Sequence, residues 1–352
     1  MGLGIEITID GMPQMDLAQA LQVEVHEQMG RPTTYRLEYN IDIQDGDLPL
    51  LRDPRLRPGA IVSISALLEN QHECLVKGPI HGHQISLVDG GAGSQLTVIG
   101  SDTSIMMDRQ TKMRQWENAT VSDIITQIVN GYGYKADIAS TQERYLTNKH
   151  SLIQQGSDFR FIQRMAKRHG FLFWVRSDEK GMETAHFQPP SLDAAPSIAL
   201  TINQEQSILE QFDITWDVER PTEVIGQQLD LNTLTTMDGH IPTSPFKTLG
   251  DLSLAQIAGT PRSMHLAVPT DDTGGLQTRG KSLLAEAGWF LKAKCSVGLH
   301  QTQKPIRGHS IVDIHGAGSR YSGPYFVAGV RHLIDATAHT MELNLLRNGW
   351  LK

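Results

Sequence analysis

Two stretches decide the fold: LQVEVHEQMGRPT at residues 21–33 and EQFDITWDVERPT at residues 210–222. In each of them apolar and polar residues alternate, and each ends in Arg-Pro-Thr, at 31–33 and at 220–222. Alternation with a period of two predicts a β-strand that buries one face and exposes the other. The same strand and turn therefore occur twice, which predicts an internal duplication.

A second pair of segments supports the duplication. The stretch AIVSISALLENQHECLVKGPIHGH at 60–83 is echoed by SIVDIHGAGSRYSGPYFVAGVRHL at 310–333. Their alignment matches Val62 with Val312, Ile64 with Ile314, Val76 with Val327, Gly78 with Gly329, and His81 with His332. Two similar β-barrel or β-sandwich units in one chain are more typical of a ring-forming or adaptor protein than of a single-site enzyme.

The chain divides into four predicted segments and is mainly β with an α+β insert. They are a first β-unit at 1–100, the α+β insert at 101–206, a second β-unit at 207–232 plus 299–352, and a helix-containing insertion at 233–298. In the second unit the alternation of apolar residues changes phase after Thr222 relative to the first unit, and the apolar residues there are Ile225, Leu229 and Leu231. This change predicts a bulge or a register change. The insertion is predicted to hold a helix near 276–295.

Two helices and a strand are predicted in the insert. Thr120, with Asp123 three residues later, is a capping pattern for the first helix. Ser157 and Asp158 open the second helix, which Gly170 ends. The following FLFWV at 171–175 is predicted to be a buried strand.

Composition excludes several classes of function. The net charge of −8, without a block of Lys or Arg, argues against binding to a nucleic-acid backbone. No apolar run reaches the roughly 20 residues of a membrane span, and the N-terminus lacks the features of a signal peptide. We therefore expect a chain made in the bacterial cytoplasm. Cys74 and Cys295 are predicted to be reduced, buried thiols.

Candidate chemical sites are sparse. His81 and His83 share one strand face and could form half of a metal site, but no cysteine or acidic cluster accompanies them, and His309 and His315 fare no better. Cys74 lies two residues from His72, a spacing that indicates nothing about catalysis. Asp271-Asp272 is interpreted as a solvated loop before a helix. We predict no catalytic, cofactor-binding or metal-binding residue.

The tryptophans leave one alternative open. Trp174, Trp216 and Trp289 fall on the apolar phase of predicted elements and are expected in the core, whereas Trp116 and Trp350 do not. Exposed aromatic side chains near the strand of His81 and His83 would suit a glycan-binding module or a cell-wall hydrolase.

The insert also carries a family resemblance. The segment TVIGSDTSIMMDRQTKMRQWENATVSDIITQIVNGYGY at 97–134 resembles the phage late-control protein D family, the tail baseplate hub proteins related to the hub half of VgrG spike proteins. The block QQGSDFRFIQRMAKRHGFLFWV at 154–175 is similar to a second helix and strand of that family, and YFVAGVRHLID at 325–335 with MELNL at 341–345 is similar to its closing hairpin. These motifs are packing signatures.

The resemblance implies a structural hub in a phage tail or a phage-tail-like contractile injection system. Such a hub is a homotrimer whose two tube-like units per chain form a pseudo-sixfold ring between a sixfold inner tube and a threefold spike. The partners would be an inner tube protein, a spike protein and other baseplate components, in a virion or a phage-tail-like particle. Because the chain ends at Lys352, where VgrG continues, we expect the spike to be a separate protein. The net charge predicts an acidic channel lining.

Overall fold

The structure is a computed structural model that describes residues 4–41, 47–68, 72–89, 91–145, 152–230, 235–266 and 273–352. Leu231 and the pair Asp271-Asp272 lie outside the described residues, so the predictions made for them stay predictions.

The first unit is a curved antiparallel sheet around its own core. Its strands are β1 (Ile5–Ile9), β2 (Met12–Pro13), β3 (Gln22–Gln28), β4 (Thr34–Asn40), β5 (Ile61–Leu67), β6 (His72–Ser86) and β7 (Gln95–Ser101). They pair in the order β3-β4-β7-β6-β5-β1-β2. The alternating apolar residues predicted to be buried, such as Val23, Leu37 and Val62, are fully inaccessible and belong to one cluster. The strands predicted in this unit are therefore confirmed.

The insert packs two helices against short strands. It contains β8 (Lys112–Trp116), β9 (Ala119–Thr120), α1 (Val121–Gly131), β10 (Lys135–Ile138), β11 (Arg144–Tyr145), β12 (Leu152–Gly156), α2 (Asp158–His169), β13 (Leu172–Ser177) and β14 (Glu183–Gln188). Thr120 caps α1 in a full capping box with Asp123, and Ser157 caps α2. Gly170 ends α2 in the left-handed conformation. Both predicted helices are confirmed.

The rest of the chain contains the second sheet and an insertion. Its elements are β15 (Ala199–Thr201), β16 (Phe212–Trp216), β17 (Glu223–Asp230), β18 (Thr235–Ile241), β19 (Leu252–Ser253), α3 (Leu254–Ala258), β20 (Ser263–Leu266), α4 (Thr273–Ala287), β21 (Leu291–Gly298), α5 (Leu299–Thr302), β22 (Ile311–His315), β23 (Gly323–Asp335), β24 (His339–Arg347) and β25 (Gly349–Trp350). The second sheet pairs in the order β16-β21-β24-β23-β22-β15. β17, β18 and β20 form a separate small sheet that packs on α4.

Three elements fall outside the ranges predicted for them. β15 lies within 101–206 but pairs with β22, so it belongs to the second sheet rather than to the insert. β17 lies within 207–232 but leaves that sheet, which is why the apolar phase slips after Thr222. α4 ends at Ala287 rather than near 295, because Leu291–Gly298 alternates buried and exposed residues and forms β21. We place the ends of the insertion at about 222 and 290.

The two sheets repeat one another strand by strand. In pairing order, β3, β4, β7, β6, β5 and β1 correspond to β16, β21, β24, β23, β22 and β15. The loop before the fifth strand is repeated in detail. The N–H of Gly59 donates to the Ile80 carbonyl at 2.8 Å, and the N–H of His309 donates to the Val327 carbonyl at 2.8 Å. Both Gly59 and His309 have a positive φ. One difference is that β1 runs antiparallel to β5, whereas β15 runs parallel to β22.

Strand pairing corrects half of the alignment made from sequence. The match of 21–33 with 210–222 keeps its register. Val23 of β3 lies in one row of the first sheet with Leu37, Val98 and His83. Phe212 of β16 lies in the matching row of the second sheet with Cys295, Leu343 and Val330. In the second hairpin strand, the bulge of β6 lies between Ile80 and Gly82 and that of β23 lies between Val327 and Gly329, so the two glycines that follow the bulges correspond. The earlier match of Gly78 with Gly329 and of His81 with His332 is therefore wrong by four residues.

Candidate assembly interface

The two sheets join through one pair of strands within the chain. The second half of β23 pairs antiparallel with β3, from Gly329 opposite Gln28 to Asp335 opposite Gln22. Ile334, at the end of β23, is fully buried in the core of the first unit. The junction therefore combines a backbone ladder with an apolar side chain that one unit inserts into the other.

A buried ion pair lies at the start of this junction. Arg307 donates through Nε to the Glu27 carboxylate, and Gly308 N–H donates to its Oε2 at 2.9 Å. The same guanidinium donates to the carbonyls of Cys74, at 2.7 Å, and Leu75, at 3.0 Å. Arg307 thus links β3 and β6, two strands of the first sheet that are not neighbours in the pairing order. The sequence did not single out these residues, since a lone Glu and a lone Arg, 280 positions apart, form no motif.

The pKa of Glu27 follows from this environment. Burial alone would raise the pKa of this carboxyl, but the positive charges of Arg307 and Arg176 outweigh the burial and lower it to about 2. Glu27 is therefore ionised at neutral pH, and its charge is neutralised within the protein.

The insert contacts the same junction. Arg176 of β13 donates to the Gly308 carbonyl at 2.9 Å. The Trp174 ring is stacked between His309, at 4.2 Å between ring centroids, and His186, at 4.6 Å. Burial lowers the pKa of His309 to about 3, so this ring is neutral in the stack. The insert therefore holds the loop that carries Arg307.

Two strand edges of the double sheet have no partner strand among the described residues. β16 pairs on one side only, with β21. The last residues of β6, from Gly82 to Ser86, pair with β7 only. Exposed apolar side chains lie at both edges: Trp216 and Ile85 are each 47% exposed, and Leu87 is 61% exposed. Unpaired edges with apolar side chains are typical of surfaces that bind another strand.

The structure does not gather the histidines and cysteines into a reactive group. His81 and His83 are exposed on β6, and within the described ranges no cluster of three or more His, Cys, Asp or Glu side chains could hold a metal ion. His72 lies 3.6 Å from Glu6 rather than against Cys74. Cys74 and Cys295 are buried free thiols, and burial raises the pKa of both, that of Cys295 to about 12.

The tryptophan predictions are wrong for two side chains. Trp116, expected outside the core, is 5% exposed in the core of the insert, where Nε1 donates to Gln154 Oε1 at 3.1 Å. Trp216, expected in the core, is exposed at the edge of the sheet and contacts Trp350 with 5.5 Å between ring centroids. Trp116 and Trp350 belong to different clusters, so the aromatic platform behind the glycan-binding alternative does not form.

Comparison with known proteins gives the family. The sequence profile of the Alg8 N-terminal domain family matches residues 2–336. The chain belongs to this family. Among curated proteins, the type VI secretion system spike protein VgrG1b of Pseudomonas aeruginosa is 22% identical over 236 residues, which is 64% of this chain and 30% of that protein. The chain thus spans less than a third of the length of this relative.

Solved structures show the same fold. A tail protein from Neisseria meningitidis is similar with a TM-score of 0.69 at 15% identity, over 98% of this chain and 96% of that one. The 43 kDa tail protein of prophage MuSo2 from Shewanella oneidensis gives a TM-score of 0.71 at 13% identity, over 98% of both chains. The predicted fold, mainly β with an α+β insert, is therefore confirmed, and both tail proteins share it. No helix in the described part of the chain has the length and apolar character needed to cross a membrane.

Proposed function

We propose that this protein is a structural hub of a phage tail or of a related contractile injection system. One observation carries the proposal: the chain contains the same six-strand pairing order twice, with the two copies joined edge to edge. Three such chains would place six similar units in a ring, as the inner-tube contact requires, while the two unlike copies keep threefold symmetry for a spike. The proteins that share its fold include tail proteins, and a type VI secretion spike protein is similar in sequence.

The proposed partners come from the resemblance to hub proteins. We propose a homotrimer that binds a sixfold inner tube protein on one side and a threefold spike protein on the other, together with further baseplate components. The proposed role is mechanical and needs no cofactor or catalytic residue. The particle that contains the hub is a virion or a phage-tail-like injection particle.

The proposed channel lining is the solvent-exposed face of the double sheet. Its exposed or half-exposed side chains include acidic groups such as Glu24 and Glu342 and basic groups such as Arg36, Lys292 and Lys294. Glu24 and Glu342 both contact Arg331, at 2.9 and 3.3 Å. This lining has mixed charge, in contrast to the acidic lining expected from the net charge of the chain.

The decisive experiment is a measurement of oligomeric state and symmetry. Mass photometry of the purified chain, alone and with the co-expressed spike and tube proteins, should give a species of three times the chain mass. Electron microscopy of that species should show a ring with six similar lobes. A folded monomer under all of these conditions would overturn the proposal, because one chain presents only two units.

A further inference from the structure

The junction inside the chain provides a template for the contact between chains. The first half of β23 pairs with β22 on one side, and its second half pairs there with β3. β6 is the counterpart of β23. Its first half pairs with β5, the counterpart of β22, while its last residues have no strand on that side among the described residues. The position that β3 fills on β23 is therefore open on β6.

The counterpart of β3 is β16, which also has an unpaired edge among the described residues. With Arg-Pro-Thr in register, Val23, Val25 and Glu27 of β3 correspond to Phe212, Ile214 and Trp216 of β16. The three residues of β3 are buried. Phe212 and Ile214 are only half-buried against the core of the second unit, and Trp216 is exposed. The side chains of β16 are therefore as exposed as those of β3 would be if β23 did not pair with it.

The residues of the open edge of β6 show the same difference. With Gly82 matched to Gly329, Ile85 corresponds to His332 and Leu87 to Ile334. His332 and Ile334 are fully buried in the junction, whereas Ile85 and Leu87 are about half exposed. The large apolar side chains of Ile85 and Leu87 are therefore exposed on β6, whereas the side chains at the matching positions of β23 are buried.

We propose, on the basis of the trimeric hub, that β16 of one copy pairs antiparallel with residues 83–87 of β6 and its extension in a second copy. The register of the internal junction places Ile214 opposite Ile85 and Phe212 opposite Leu87. Leu87 enters the core of the second unit of the neighbouring copy, as Ile334 enters the core of the first unit within the chain. Alternating internal and intermolecular junctions close the ring.

The charged pair of the internal junction has a different counterpart between chains. Arg307 corresponds to Arg57, because each lies two residues before the positive-φ residue of the matching loop. Glu27 corresponds to Trp216. The intermolecular junction therefore brings the exposed guanidinium of Arg57 towards an indole, which suits a cation–π contact in place of an ion pair.

Disulfide trapping tests the register. In the proposed pairing Thr215 lies opposite Gln84, and both side chains are exposed in the free chain. Within one chain, six strands of the sheet separate β16 from β6, so a bond between these positions must join two copies. The variant Thr215→Cys/Gln84→Cys should give covalent dimers and trimers under mild oxidation. Thr215→Cys/Val88→Cys is the matched control, since four residues of offset separate its cysteines by more than a disulfide spans.

A second variant tests the apolar anchor. Leu87→Asp should weaken self-association by about tenfold or more, because it places a charge where an apolar core is expected. Met113→Asp alters an apolar residue of the insert that is even more exposed, at 83%, and should leave association unchanged. Both variants should fold, since each residue is exposed in the single chain, and circular dichroism checks this.

The outcomes separate this inference from the proposed function. A trimer in which the Thr215/Gln84 pair does not crosslink, or in which the Val88 control crosslinks equally well, overturns the strand pairing and leaves the hub in place. A trimer whose association Leu87→Asp does not weaken overturns the apolar anchor and with it the pairing. A folded chain that stays monomeric, alone and with its spike and tube partners, overturns both.

Discussion

Replacing Glu27 with Gln tests the ion pair at the centre of the fold. Glu27 is buried, and its carboxylate bonds Arg307 and the Gly308 N–H. Glu27→Gln removes the charge at nearly constant volume and leaves a buried guanidinium without its closest counter-charge. Such a change costs about 3–5 kcal/mol of stability. The pKa gives a similar figure: a carboxyl that falls from 4.5 to about 2 on folding contributes about 3 kcal/mol.

The same pKa sets the sign of the pH dependence. Because the folded pKa lies below the unfolded one, the stabilisation is fully present above the unfolded pKa of about 4.5. It declines as pH falls towards the folded pKa of about 2. Urea unfolding at fixed protein concentration, followed by tryptophan fluorescence, should therefore show a gap of about 3 kcal/mol between wild type and Glu27→Gln at pH 7. This gap should narrow below about pH 5.

Glu24→Gln is the matched control on the same strand. Glu24 binds Arg331 at 2.9 Å, but both side chains are partly exposed, so its loss should cost less than about 1 kcal/mol. A second substitution, Arg307→Met in the Glu27→Gln background, should recover part of the loss because it removes the unpaired buried charge. The reasoning fails if Glu27→Gln costs no more than Glu24→Gln, or if the gap stays constant between pH 7 and pH 3.

Three further changes have clear expected outcomes. Gly100→Ala should lower the free energy of unfolding in urea by about 2 kcal/mol or more, because a Cβ there would lie 2.0 Å from the Tyr35 ring. Gly131→Ala is the control: its Cβ would meet no atom within 4 Å, so this substitution should be neutral or stabilising. Trp116→Ala should lower the free energy of unfolding by about 3–5 kcal/mol in the same assay, because the ring is buried. Trp216→Ala should lower that of the free chain by less than about 1 kcal/mol, because this ring is exposed. Cys74 and Cys295 should react with a thiol reagent only after unfolding, because both are buried with raised pKa values; rapid reaction of the native chain would contradict their placement.

Local patterns in the sequence predict most of the elements correctly. Alternation identifies the strands of the first unit, and the caps at Thr120 and Ser157 locate both helices of the insert within a residue. These signals are reliable because each depends on residues a few positions apart. The insertion is harder to predict. Leu283, Leu284, Phe290 and Leu291 suit one helical stripe, although Phe290 lies in the link after α4 and Leu291 begins β21. Only the partner strand β24 decides between the two.

Edge positions and charged contacts could not be read from the sequence. Trp216 follows the apolar phase of its strand, which predicts burial, but the structure leaves that strand without a neighbour. Trp116 stands outside any apolar stripe, yet it packs in the core of the insert, where Gln154 of the adjacent strand accepts its N–H. The contact between Glu27 and Arg307 joins residues of the two sheets that are 280 positions apart in the sequence. Each of these depends on which distant strands meet.

The misplaced hairpin alignment has a consequence for assembly. Sequence similarity pairs Gly78 with Gly329 because both are glycines in a similar apolar context, and that pairing assigns His332 to the exposed His81. A bulge in each long strand fixes the true register at Gly82 and Gly329. Only in this register does an exposed Leu87 correspond to a fully buried Ile334. With the four-residue correction, the exposed Leu87 becomes the counterpart of a core residue. A position that is buried at the junction within the chain is therefore exposed at the edge where a second copy is proposed to bind.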